Sequence, residues 1–158
     1  MTDPAGAAPP VPDAVQVSPA VSALVLDEGR RRAPDEACGL LVGRRVHRLV
    51  QVLEARPCEN TAEPGTRHER FELDPRQVIE VERALRGSGR EVVGFYHSHP
   101  VSDAVPSKVD RPFMALWPEM VWLIVGNAED PRRALLRVWS IGHGDPGIPA
   151  EVPIQIPA

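Results

Sequence analysis

The densest chemistry in this chain lies in one stretch. Val92 to Tyr96 are apolar or small, His97-Ser98-His99-Pro100 follows, and after a short Pro-bounded loop come Ser107 and Asp110. In an extended strand, residues i and i+2 share a face about 6.5 Å apart along the chain, so the rings of His97 and His99 converge on one point. Two imidazole nitrogens with one carboxylate oxygen form a normal zinc ligand set, and a catalytic site leaves the fourth position open. Asp110 is the nearest third ligand in the sequence.

Taken singly, each part has an ordinary explanation. A His-x-His pair is a weak signal, because one ring can be a satisfied core or surface histidine. Ser107-x-x-Asp110 reads as a capping box, with the acid facing the helix dipole. Taken together, a strand ending in two same-face histidines, a short loop and a helix start carrying an acid also build a site. A capping serine still has a hydroxyl to direct into a cleft.

His97-x-His99, seven residues, then Ser107-x-x-Asp110 resembles the signature of the JAMM (MPN+, JAB-domain) metallopeptidases, and Gly94-Phe-Tyr-His-Ser-His-Pro100 looks like its strand-and-turn setting. Pro34-Asp-Glu36-Ala-Cys-Gly-Leu-Leu-Val-Gly43 is similar to the segment that supplies the family's upstream glutamate. The resemblance covers roughly Val17 to Ile156 and implies the MPN fold, related to the cytidine-deaminase architecture. It also implies one zinc ion per chain, held by His97, His99 and Asp110. Such an ion lowers the pKa of a bound water from about 15.7 towards 7. Glu36 is then the general base, and Ser107 the donor to the developing oxyanion.

The substrate implied is a ubiquitin-like or sulfur carrier protein, cut at a peptide or isopeptide bond after its C-terminal Gly-Gly. Bacterial members of about this size look like processors of such carriers. Two alternatives are a deconjugating peptidase of an antiphage ubiquitin-like system and a non-catalytic MPN scaffold. The five intact positions argue against the scaffold. An open groove bordered by residues 57–69 and 101–106 would take an extended tail, and crowding beside the metal would select residues without Cβ.

Other chemistries are excluded by what is missing. Zinc deaminases pair His-x-Glu with Pro-Cys-x-x-Cys, and neither pattern occurs here. No Gly-rich phosphate loop or nucleophile elbow is present, and His68-Glu69 lacks the second zincin histidine, since position 72 is Glu. A formal charge of -4, from 22 acidic and 18 basic residues, argues against a nucleic-acid surface. Cys38 and Cys58 fit no metal or redox motif and read as free thiols, Cys38 as a small buried apolar residue. Residues 1–14 read as a disordered Pro/Ala-rich tail, without the positive start and apolar core of a secretory signal. With no membrane span in sight, the expectation is a cytoplasmic chain of 158 residues, of which 15–158 form one domain.

The elements that must position the site follow from local patterns. Ser18 caps a helix with an apolar stripe of Val21, Leu24, Val25 and Leu26, which Pro34 ends. Residues 37–42 form a buried strand with Glu36 at its entrance, 43–45 a turn, and 46–53 the hairpin partner, with His47 on the strand surface. A long loop spans 57–69, with Asn60 and Arg70-Phe71 leading on to the next helix. That helix covers 75–86 and buries Val78, Ile79, Val81 and Leu85. Strand 92–97, helix 107–117, strands 120–125 and 134–141, and an edge strand 152–156 complete the pattern. Trp117, Trp122 and Trp139 are assigned to packing, Ser102 and Asp103 to solvated turn positions, and His143 to the surface. The assembly is a mixed α/β fold, a curved, mostly antiparallel sheet flanked by helices.

Overall fold

The computed structural model describes residues 11–141 and 148–158. In chain order these form β1 (Ala14–Val17), α1 (Pro19–Arg32), β2 (Cys38–Val46), β3 (Leu49–Cys58), a 3-10 turn (Pro64–Thr66), α2 (Pro75–Leu85), β4 (Glu91–Ser98), α3 (Asp110–Ala115), β5 (Val121–Gly126), β6 (Leu135–Ser140), β7 (Ala150–Val152) and β8 (Ile154–Gln155). Ser18 Oγ accepts the Val21 N–H at the start of α1, and the Asp74 carboxylate accepts the Arg76 N–H at the start of α2.

The strands make one mixed sheet in the order β7-β6-β5-β4-β2-β3-β1-β8. Most neighbours are antiparallel, with parallel pairs at β4–β5, β1–β3 and β1–β8. β7 and β8 stand at opposite ends of that order, yet Pro153 alone separates them. The sheet therefore curls until it almost closes. Proline has no N–H to continue a ladder, and its carbonyl accepts the Val15 N–H of β1 at 2.9 Å, beside the β1–β8 pairing.

Each face of the sheet has its own core. On one, Leu41, Tyr96, Leu123 and Val125 pack against Val21 and Val25 of α1. On the other, Leu40, Phe95 and Trp122 pack against Val78 of α2, Met114 of α3 and the connecting residues Phe71 and Leu73. β4 lies between β2 and β5, so its C-terminal end is buried on every side.

Several local expectations change. β2 continues through Gly43-Arg44-Arg45 to Val46, and the hairpin turns at His47 and Arg48, with His47 at φ 54° and not on a strand surface. Gly43 marks a β-bulge, where a Cβ would run into the Gln51 backbone, so this glycine serves close approach and not reversal. Of the four residues expected on the buried side of α2, Val78 and Leu85 are buried and Val81 half-buried, but Ile79 is 57% exposed. Regular helix in α3 begins at Asp110, because Ser107 to Val109 form the turn that leads into it. β1 begins at Ala14, the last residue of the expected tail. Residues 1–10 of that tail, and His143, lie outside the described residues.

Candidate metal centre

β4 carries a bulge at Val93, where Leu41 pairs with Gly94 but Val42 pairs with Val92. Beyond it the two-residue period holds. Phe95 and His97 point to the same core, and His99 follows on the turn. Pairing of β4 with β2 aligns Cys38 with His97, which brings Glu36, two residues earlier, beside the end of β4. There the Ser98 N–H donates to the Ala37 carbonyl, and Ser98 Oγ accepts the Ala37 N–H at 2.8 Å.

His97 Nε2, His99 Nε2 and Asp110 Oδ2 form a triangle with sides of 3.2, 3.1 and 3.1 Å. Glu36 completes a buried group whose potential ligand atoms all lie within 4.8 Å of one another. The reciprocal Ser107–Asp110 capping bonds are present too. The Ser107 N–H donates to Asp110 Oδ2 at 2.9 Å, and the Asp110 N–H donates to Ser107 Oγ at 3.1 Å. The cap and the cluster thus share one carboxylate, and the cap aims it.

The donor set fits a metal ion. His99 Nδ1 lies 2.7 Å from the Asp103 carbonyl, which only accepts, so the neutral ring carries its proton there and turns a lone pair at Nε2 towards the cluster. A proton links two atoms at a time, whereas three atoms converge here. Ligand distances of about 2.0–2.2 Å in a tetrahedral site set ligand atoms roughly 3.3 Å apart, close to the sides observed.

A family model described as prokaryotic homologs of the JAB domain matches residues 18–141. The chain belongs to that family. A desampylase of Haloferax volcanii is 45% identical over 92 residues, covering 58% of this chain and 62% of that protein. The match thus spans less than two thirds of that relative. A CysO-cysteine peptidase of Mycobacterium tuberculosis is 33% identical over 128 residues, 78% of this chain and 80% of its own. The solution structure of a Desulfitobacterium hafniense protein superposes with a TM-score of 0.77 at 29% identity, covering 90% of this chain and 92% of that one.

Burial sets the electrostatics of this JAB domain. It pushes Glu36 up to about 7, with Asp110 reinforcing the shift while His97 and His99 oppose it. Glu36 Oε1 has no hydrogen-bond partner among the described residues. Burial also acts to raise Asp110, but the charge of His97 and hydrogen bonds from both histidines and the Ser107 N–H outweigh it. Its carboxyl is held well below the usual range. For His99, burial favours the neutral ring, and bonds to Asp110 and the Asp103 carbonyl reverse that, so its pKa rises.

A cleft of about 280 Å³ opens beside the cluster, lined by Glu36, His68, Glu69, His99, Val101 and Ser107 among others. Both loops expected to border a groove contribute to it. Cys38 stays outside the cluster. Its thiol faces the Cys58 and Glu59 carbonyls at 3.8 Å, and burial raises it to about 12.

Three supporting residues carry no signal of their own in the sequence. Phe71 stacks on His97. Asp103, expected to be a spare turn residue, supplies the carbonyl that orients His99, and its carboxylate accepts from Asn127 Nδ2 at 3.4 Å. The Trp139 indole N–H, assigned to packing, donates to the Ala104 carbonyl at 2.8 Å and pins the same loop. Gly126 backs that loop, since a Cβ there would strike the Ala104 main chain.

Proposed function

We propose that this chain is a zinc peptidase that hydrolyses a peptide or isopeptide bond after the C-terminal Gly-Gly of a ubiquitin-like or sulfur carrier protein. The observation that carries the reading is the convergence of three ligand atoms within 3.2 Å of one another, with an unpartnered buried carboxylate and an open cleft at their side. His97, His99 and Asp110 hold the ion, which when bound supplies Lewis-acid activation of water near neutral pH.

The remaining work falls to the chain. Glu36 takes the proton of the attacking water on its free Oε1 and passes it to the leaving amine. One buried carboxyl beside both the water and the leaving amine can serve both steps. Ser107 Oγ already accepts the Asp110 N–H, so its own proton is free to donate to the substrate carbonyl oxygen as charge develops there. His99, Val101 and Ser107 line the cleft beside the cluster, and crowding next to the ion favours residues without Cβ before the scissile bond.

The names of the relatives, a desampylase and a CysO-cysteine peptidase, support a protein conjugate as substrate. Two free cysteines fit a reducing cytoplasm, and no helix among the described residues is long and apolar enough to cross a membrane. The test is to incubate zinc-loaded protein with each Gly-Gly carrier of the same organism, extended at its C-terminus, and read products by intact mass. Release of the extension, abolished in Glu36→Gln, is the expected result. Cleavage that survives replacing both glycines with alanine removes the Gly-Gly assignment, and no cleavage of any carrier favours a scaffold.

A further inference from the structure

The base and the ligand ring come from segments far apart in the chain, and the Asn60 side chain bonds the backbone on both sides. Asn60 Nδ2 donates to the Glu36 carbonyl at 3.1 Å and to the Arg70 carbonyl at 3.0 Å. Asn60 Oδ1 accepts from the Ala62 N–H at 3.1 Å and the Glu72 N–H at 3.2 Å. An amide has two donors and two acceptor lone pairs, so its capacity is filled. The partners also fix its orientation, because a flipped amide would face carbonyls with oxygen and N–H groups with nitrogen.

What those four bonds connect matters more than their number. Arg70 and Glu72 flank Phe71, whose ring lies on His97 with centroids 4.6 Å apart. The Glu36 N–H is held from the same loop, by the Arg67 carbonyl at 2.7 Å. Both polar groups of the Glu36 backbone are thereby tied to residues 60–67, and Asn60 ties that loop to the segment that braces His97. Resting on the reading of Glu36 as the base, we propose that Asn60 is a positioning residue that holds Glu36 and the His97 ring as one unit. Serine and threonine have one hydroxyl, and aspartate has no N–H, so none can replace all four bonds.

The test uses Asn60→Ala and Asn60→Asp, the latter keeping acceptors while losing both donors, with Thr61→Val as control. Thr61 Oγ1 bonds the Glu72 carbonyl from the same loop but touches neither Glu36 nor Arg70. Both Asn60 variants should lose about 10- to 100-fold in kcat with KM changed less than about twofold, the pattern of misplaced groups and not of lost substrate binding. Zinc affinity, measured by chelator competition without substrate, should fall about tenfold. Thr61→Val should keep wild-type kcat. A lowered melting temperature with unchanged kcat and zinc affinity makes Asn60 merely structural and overturns the proposal, as does an equal loss in Thr61→Val. If neither Asn60 variant folds, the wild-type protein decides by NMR. Both Asn60 side-chain amide protons should exchange slowly, and fast exchange of either one overturns the proposal. Full activity in Glu36→Gln would remove the base assignment itself, whereas an inactive Glu36→Gln beside fully active Asn60 variants removes only this inference.

Discussion

Phe71 lies almost flat on His97, with ring centroids 4.6 Å apart and planes 25° from parallel. His97 Nδ1 is buried without a hydrogen-bond partner among the described residues, so on that side the ring is held by packing. Orientation of a ligand imidazole is usually the work of a hydrogen bond to its other nitrogen. Here an aromatic face takes much of that role for His97, while a carbonyl does so for His99.

Truncating that contact should loosen the ligand. Phe71→Ala is expected to cost about 3–5 kcal/mol of stability, as buried aromatic truncations do, and to weaken zinc binding. Phe71→Leu should cost less stability while still weakening the metal. Thermal melts with and without chelator separate the two effects, and a Phe71→Leu protein with wild-type zinc affinity would show that the stacking does not orient His97.

Trp139→Phe removes one N–H and keeps most of the ring. The Ala104 carbonyl then loses its 2.8 Å partner, a loss worth about 1–3 kcal/mol where the group stays buried. Because Asp103 precedes Ala104, the carbonyl that fixes the His99 tautomer should become less well placed. Chelator competition should show weaker zinc binding in a folded protein. Affinity equal to wild type would disconnect the indole from the centre.

Glu36 and Asp110 should separate cleanly in the two assays. Glu36→Gln keeps the triangle of ligand atoms and should retain stoichiometric zinc while losing nearly all turnover. Asp110→Ala removes one ligand and the acceptor of the Ser107 N–H, and should lose zinc. Elemental analysis beside the carrier-cleavage assay reads both. Stoichiometric zinc in a His97→Ala/His99→Ala double variant would contradict the ligand assignment.

The raised Glu36 pKa gives a pH signature in zinc-free protein. Its value is about 7 in the folded state against an ordinary 4.5, so the folded chain binds the proton more tightly than the unfolded chain. The stabilising effect is complete below about pH 4.5 and is lost as pH rises through about 7, a change on the order of 3 kcal/mol at 1.36 kcal/mol per unit. Denaturant unfolding in excess chelator at pH 5 and pH 8 should show wild-type stability falling relative to Glu36→Gln. An identical pH dependence in the two proteins would show that Glu36 is not held protonated.

The clustering of His97, His99, Ser107 and Asp110 was legible because it obeys local rules. His97 and His99 meet through the two-residue period of a strand, and Ser107 and Asp110 meet through the three-residue step of a capping turn. Those geometries are properties of the backbone, so spacing alone reveals them. Glu36 stands 61 residues before His97, beyond the reach of any local rule, and only the resemblance connected the two. Helices α1 and α2 announced themselves through Ser18 and Asp74 with Pro at the next position.

Tertiary structure decided the rest. Nothing in the Ala-Val-Gln-Val run of β1 or in the short strands around Pro153 says that they close opposite edges of one sheet, since strand pairing depends on which edge is left open elsewhere. Gly43 looks like a turn residue until β3 approaches it. Asn60, Asp103 and Trp139 act through main-chain carbonyls and N–H groups, which every residue carries, so their partners leave no mark on residue type. The chain's composition specified which atoms could bind a metal. Only the folded backbone determined which peptide groups would hold those atoms still.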